Sequence, residues 1–131
     1  MKKGLIMFSF LMFVLMGCST TKVIKQNRVT GKEYKLLDEY PKDNIILGFD
    51  NERFYGFSGV NNYFGNYIKQ KDNIRLVTVG MTRMSGTPEM IHREKNYLDK
   101  LQEVNNYKLK GKELILFDDE KEVLKFEEII N

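Results

Sequence analysis

Cys18 is the only cysteine in this chain, and its position constrains all that follows it. A domain folded from the residues beyond it can contain no internal disulfide, so side-chain packing alone must hold it together. Cys18 also closes a leader with Lys2 and Lys3 at its start, an apolar run over 5–16, and the small residue Gly17 just before the cysteine. A basic start, a short apolar core and a small residue at the cut describe a secretory signal peptide, here residues 1–17. The apolar run is too short for a membrane-spanning helix, which needs about 20 residues. A buried helix with no polar face would need an interior that a domain this small lacks. Removing the first 17 of 131 residues leaves 114, enough for one domain. Both leader lysines leave with that segment, so the formal charge of +3 falls near +1. The remaining charges are interspersed and form no basic stripe, which excludes a nucleic-acid partner.

The tetrad Leu15-Met16-Gly17-Cys18 resembles a bacterial lipobox, with Met16 where a smaller residue is more usual. The resemblance implies cleavage before Cys18 and acylation of Cys18, giving membrane attachment through lipid chains rather than a spanning helix. It places the protein in the cell envelope. Ser19 resembles the outer-membrane sorting signal of Gram-negative lipoproteins, which would face the domain into the periplasm.

Residues 18–31 read as the lipidated cysteine and a polar tether, because 19–31 lack an apolar period and an aromatic residue. Such a tether reaches roughly 20 Å. The domain proper is expected over 32–131. Apolar runs bounded by turn residues predict strands over 34–40, 45–49, 54–57, 65–69, 74–81, 107–110, 113–117 and 122–126. A helix is predicted over 88–104. Thr87 is its N-cap, Pro88 suits the first turn, and an apolar stripe runs through Met90, Ile91, Tyr97, Leu98, Leu101 and Val104. The fold class is therefore mainly β (α+β): a small antiparallel β-barrel or strongly curved sheet with one packed α-helix. Six Phe and all seven Tyr follow the leader and supply core volume.

Residues Gly59-Val60-Asn61-Asn62-Tyr63-Phe64-Gly65-Asn66-Tyr67 resemble the G-C-N-x-x-x-G-x-Y segment of the META domain family, which includes the heat-shock protein HslJ. Thr82-Arg83-Met84, Pro88 and Glu94 resemble that family's T-x-M-x-C-P stretch and helix glutamate. Val104, Tyr107, Gly111, Leu114, Leu116 and Phe126 resemble its closing strands. The similarity spans 34–126. It implies a small barrel with one helix, often in a lipoprotein, and links to heat or envelope stress, secretion and motility without an established catalytic mechanism. Val60 and Gly86 stand at or near the family's cysteine positions, so no thiol chemistry of relatives carries over.

Three residues are singled out. Glu94 falls on the apolar stripe of the helix, where a carboxylate needs hydrogen bonds or a cation. It either pins the helix to the sheet through backbone amides or Arg83, or serves as a ligand-binding or acid/base group. Asn61 either stabilises the glycine-flanked bend or presents a recognition loop with Asn62, Tyr63 and Phe64 at the barrel rim. The glycines lack the lysine and spacing of a P-loop. His92 lies alone on the polar helix face, no second histidine or free thiol completes a metal set, and Ser58 and Ser85 have no triad partner. Asp118-Asp119-Glu120 reads as a solvated turn. No metal or cofactor is expected. The leading expectation is an envelope-anchored, non-enzymatic binding or stress-response module that contacts an envelope protein or an apolar ligand. The alternatives are a lipid-binding or pilotin-like carrier, which requires an apolar cavity, and an enzyme using Glu94.

Overall fold

Alternation of buried apolar side chains with exposed ones runs through most strands, and in three dimensions it closes on itself. A computed structural model describes residues 28–131; the leader and Cys18 lie outside the described residues. Eight strands follow in chain order: β1 (Lys32–Leu36), β2 (Ile46–Phe49), β3 (Arg53–Phe57), β4 (Asn62–Gln70), β5 (Asn73–Met81), β6 (Asn106–Lys110), β7 (Glu113–Asp118) and β8 (Lys121–Glu128). The single helix α1 (Pro88–Glu103) falls between β5 and β6. Each strand pairs antiparallel with the next, and β8 returns to β1 through Tyr34↔Glu128 and Leu36↔Phe126, giving a closed ring. The ring is thinnest between β5 and β6, which pair only at Asn73↔Asn106. The chain there leaves the sheet to make α1, which packs against β5 and β8.

The interior is filled by the protein's own side chains. Tyr34, Phe49, Phe54, Tyr63, Tyr97 and Phe126 are all fully buried in one core cluster with Leu47, Leu76, Leu101 and Leu114. Packing so many rings into a narrow barrel depends on glycine. Gly56 lies directly across from Tyr63, and Gly65 directly across from Phe54. A Cβ on Gly56 would stand 1.9 Å from the Ile46 carbonyl oxygen, and one on Gly65 would stand 2.0 Å from that of Val77. The same pairing recurs outside the barrel, where Tyr55 covers Gly48 and Phe64 covers Gly80. Each aromatic ring fills the space a neighbouring strand leaves empty. The register shifts between Phe64 and Gly65, which pair with Gly80 and Thr78, so Val79 is an extra residue that bends β5 around the curve.

Of the three fully buried phenols, Tyr63 and Tyr97 are hydrogen-bonded and Tyr34 is not. Tyr63 donates to the Ile46 carbonyl at 2.7 Å; with its one hydrogen committed there, it accepts from the Tyr97 hydroxyl at 2.6 Å. The Tyr34 hydroxyl is buried without a partner among the described residues. An unpaired buried hydroxyl costs about 1–3 kcal/mol. Tyr34→Phe is therefore expected to raise stability by about 1 kcal/mol in urea unfolding. Burial pushes all three phenols above their ordinary value near 10; Glu128 and Tyr107 add to it at Tyr34, while the Tyr63 hydroxyl works the other way at Tyr97. The folded state keeps protons that the unfolded chain releases, so this contribution is complete below about pH 10. It is lost as pH rises through the folded values. Unfolding free energy should fall above about pH 10 by up to ~1.4 kcal/mol per pH unit for each such phenol, checked by urea titrations between about pH 9 and 11.

Three local differences from the sequence expectations have physical causes. The strand expected over 34–40 stops at Leu36, because Asp38 and Tyr40 adopt left-handed backbone (φ 66° and 46°) and swing the chain toward the helix. β4 is longer than 65–69, since Asn62 already pairs with Phe57. Val29, assigned to the tether by its polar neighbours, is fully buried in the core, and the Gly31 amide donates to the Phe49 carbonyl at 2.7 Å. The folded unit thus begins upstream of residue 32.

Candidate functional site

Ser58, Asn61 and Glu94 meet in one buried polar cluster, exposed by only 2, 3 and 6 %. The turn between β3 and β4 makes this possible. Gly59 has φ +95°, a conformation costly for any residue with a Cβ, and the Ser58 amide donates to the Asn61 carbonyl at 2.9 Å. The turn aims the Asn61 backbone and side-chain amides at the helix. Thr87 starts α1, its hydroxyl accepting from the Met90 amide at 3.2 Å, and Pro88 follows in the first turn. The helical repeat then places Glu94 on the same buried face as Tyr97 and Leu101.

The Glu94 carboxylate is held by uncharged donors. Oε2 accepts from the Asn61 backbone amide at 3.0 Å and, in a short contact, from the Ser58 hydroxyl. Asn61 Nδ2 lies 3.0 Å from both carboxylate oxygens. The Asn61 side-chain oxygen accepts from the Thr82 hydroxyl at 3.0 Å and from the Met84 amide at 2.5 Å. Asn61 therefore ties together the β3–β4 turn, the segment after β5, and the helix. Both readings of Asn61 placed it in the right loop, but the side chain faces inward. Tyr63 is buried with it, while Asn62 and Phe64 are exposed.

Arg83 does not join the cluster. It is exposed and makes no ion pair with Glu94 among the described residues. Asn61 is taken instead by the Thr82 hydroxyl and the Met84 backbone amide, while the Met84 side chain, like that of Arg83, is exposed.

A second set of contacts fixes the adjoining flank of α1, one residue before each buried position, and was not legible in sequence. Arg93 grips Asp43 through two bonds of 2.6 and 3.1 Å, Asn96 donates to the Tyr40 hydroxyl at 2.8 Å, and Lys100 pairs with Glu39. Arg93, Asn96 and Lys100 recur at helical spacing, so the face itself was a signal. Its partners lie in the irregular stretch between β1 and β2, which no periodicity predicts.

The cluster is a clasp. An acid or base must reach a substrate proton, whereas the donors surrounding Glu94 belong to the protein itself. No group of three or more metal-ligating side chains occurs among the described residues. His92 is exposed. The acidic turn is docked on Asn105 and Asn106, with Asn105 Nδ2 donating to Asp119 at 2.8 Å and the Asp119 amide donating back at 2.9 Å.

The other distinctive feature is on the outside. Tyr55, Phe64, Ile68, Val77 and Val79 are exposed on the outer face of β3–β5, with Ile68 at 71 % and Val79 at 61 %. Adjacent grooves at the barrel end are lined by Ile68 with Thr30 and Lys69, and by Ile68 with Arg75 and Gln102. Apolar side chains gathered on one wall mark a contact surface more strongly than the same number scattered.

The solved NMR structure of a protein from Burkholderia xenovorans has the same fold, with a TM-score of 0.64 at 20 % identity over 79 % of this chain and 85 % of that one. No curated protein matches the chain. The family model of the META domain matches residues 24–129, the barrel and its helix together. The chain belongs to the META domain family.

Proposed function

We propose that this protein is an envelope-anchored, non-enzymatic META-domain lipoprotein that works by binding, in a stress-related or assembly role. Lipid on Cys18 would hold it at the membrane, the outer membrane facing the periplasm if the cell is Gram-negative. The observation that carries the binding reading is the apolar outer wall of β3–β5, joined to a barrel whose polar cluster is satisfied internally. An enzyme built on Glu94 would need that carboxylate open to a substrate. A lipid carrier of the pilotin kind would need an apolar cavity, and the barrel interior is occupied by its own rings. The wall's occupant is an envelope component, a protein or an apolar ligand of lipid character.

Photo-crosslinking in native envelopes tests this reading. A probe replacing Val77 should capture a bound component, and the same probe at Lys35, on the opposite wall, should not. Equal capture at both positions, or none at Val77, would count against a binding wall. Intact mass tests the anchor separately: the native protein should begin at Cys18 with acyl mass, and material beginning at Met1 would refute it.

A further inference from the structure

We propose that the β3–β5 wall rests on an anionic lipid bilayer, its apolar side chains at the headgroup boundary. This names the occupant of the binding wall and rests on the lipid-anchored reading of Cys18.

Charge is the first argument. The outward positions of β3, β4 and β5 carry Arg53 and Arg75 and no Asp or Glu. Just beyond β5, exposed Arg83 and Met84 extend the same character. The opposite wall differs: Lys35 on β1 lies beside Glu127 on β8, with Lys125 near them, a surface of mixed sign. Glu33 reaches the β3 edge of the apolar wall, where its carboxylate accepts from the Tyr55 hydroxyl at 3.0 Å. Glu33 at that edge, and Glu52 and Glu103 in the end grooves, border the wall, but the charged side chains at the outward positions of its strands are both cations. An apolar face of that kind suits a surface that is apolar beneath and negative at its boundary.

The place where the chain enters is the second argument. Thr30 lies 3.1 Å from the Tyr67 hydroxyl and shares a groove with Ile68 and Lys69, so the polypeptide joins the barrel at the end of β4. Cys18 precedes Arg28 by ten residues. A chain that long extends at most ~35 Å, about the length of the nine-residue strand β4 itself. An acylated Cys18 would therefore keep the domain within one strand length of the bilayer, with the Ile68 end of the wall next to the point of entry.

The native acylated protein tests the proposal in vesicles of phosphatidylglycerol mixed with phosphatidylcholine, and in phosphatidylcholine alone. With Cys18 acylated, a fluorophore can be placed at Val79→Cys or Lys35→Cys without other reactive thiols. In anionic vesicles, brominated lipid should quench the label at 79 about threefold more than the label at 35, and aqueous iodide should do the reverse. The contrast should shrink in phosphatidylcholine and at high salt. Equal quenching at the two positions overturns the proposal while leaving the anchor intact. Protection of the label at 79 in native membranes but not in protein-free vesicles also overturns it, assigning the wall to a polypeptide. If intact mass shows no acyl group, the anchor reading fails and vesicle flotation of the full chain decides about the wall. Val77→Asp with Val79→Asp, both at exposed positions, should then lower partition onto anionic vesicles about tenfold; equal partition of the variant and the unaltered chain overturns the proposal.

Discussion

Glu94→Ala should destabilise the domain by about 3–5 kcal/mol, a large part of the 5–15 kcal/mol that holds a typical domain. The substitution removes the one acceptor shared by the Ser58 hydroxyl, the Asn61 backbone amide and the Asn61 side-chain amide, and each hydrogen bond to a charged group contributes about 1.5–3 kcal/mol. The first two can fall back on the Asn61 carbonyl and on Ser58 Oγ, whereas the side-chain amide is left unpaired. Each buried donor left unpaired costs about 1–3 kcal/mol. Released from Glu94, the Asn61 side chain also has less to hold it against Thr82 and Met84, so the loss spreads to the segment that leads into α1. Glu94→Gln keeps the shape but sets an amide donor against the donors already there; a loss of about 1–3 kcal/mol is expected. Urea unfolding of both variants checks the order. An alanine variant as stable as the unaltered protein would show that the clasp does not hold the helix.

Gly56→Ala is the second large effect, with an expected loss of at least ~3 kcal/mol. The added carbon would sit 1.9 Å from the Ile46 carbonyl oxygen and 2.5 Å from the Tyr63 hydroxyl, the two partners of one buried hydrogen bond. Moving the carbonyl disturbs the β2–β3 ladder, and moving the phenol separates it from Tyr97. Gly31→Ala makes the contrast. Its φ of +79° is strained for alanine, but nothing lies within 4 Å, so about 1 kcal/mol is expected. Thermal unfolding of the pair separates filled space from backbone strain. A smaller loss at Gly56 than at Gly31 would contradict the role of glycine as a seat for the rings.

Eight strands and one helix could be read from the sequence because each carries its own periodic pattern, and a patterned strand reports its own alternation without its neighbours. Glu94 was conspicuous for the same reason: it interrupts an apolar stripe. Its partners were not, since a hydrogen bond across 33 residues depends on how the Gly59 turn is aimed. Arg83 looked attractive as the nearest cation of the motif, yet its side chain is exposed and uncharged donors hold Glu94 instead. The stretch between β1 and β2 was hidden by the left-handed residues Asp38, Tyr40 and Asn44, which have no glycine to announce them. The glycine–aromatic pairs lie in plain view within individual strands, but only register brings each glycine opposite its ring.

We propose a division of labour in which the Glu94 clasp maintains the barrel and the outer wall of β3–β5 meets the envelope. Covalent footprinting of the native protein, compared between intact membranes and detergent-released material, tests it most directly. Protection in membranes should concentrate at Phe64, Ile68, Val77 and Val79 and disappear on release, while Lys35 and Glu127 stay equally reactive in both. Uniform reactivity of the wall in both states, or protection confined to the β1–β8 side, would contradict it.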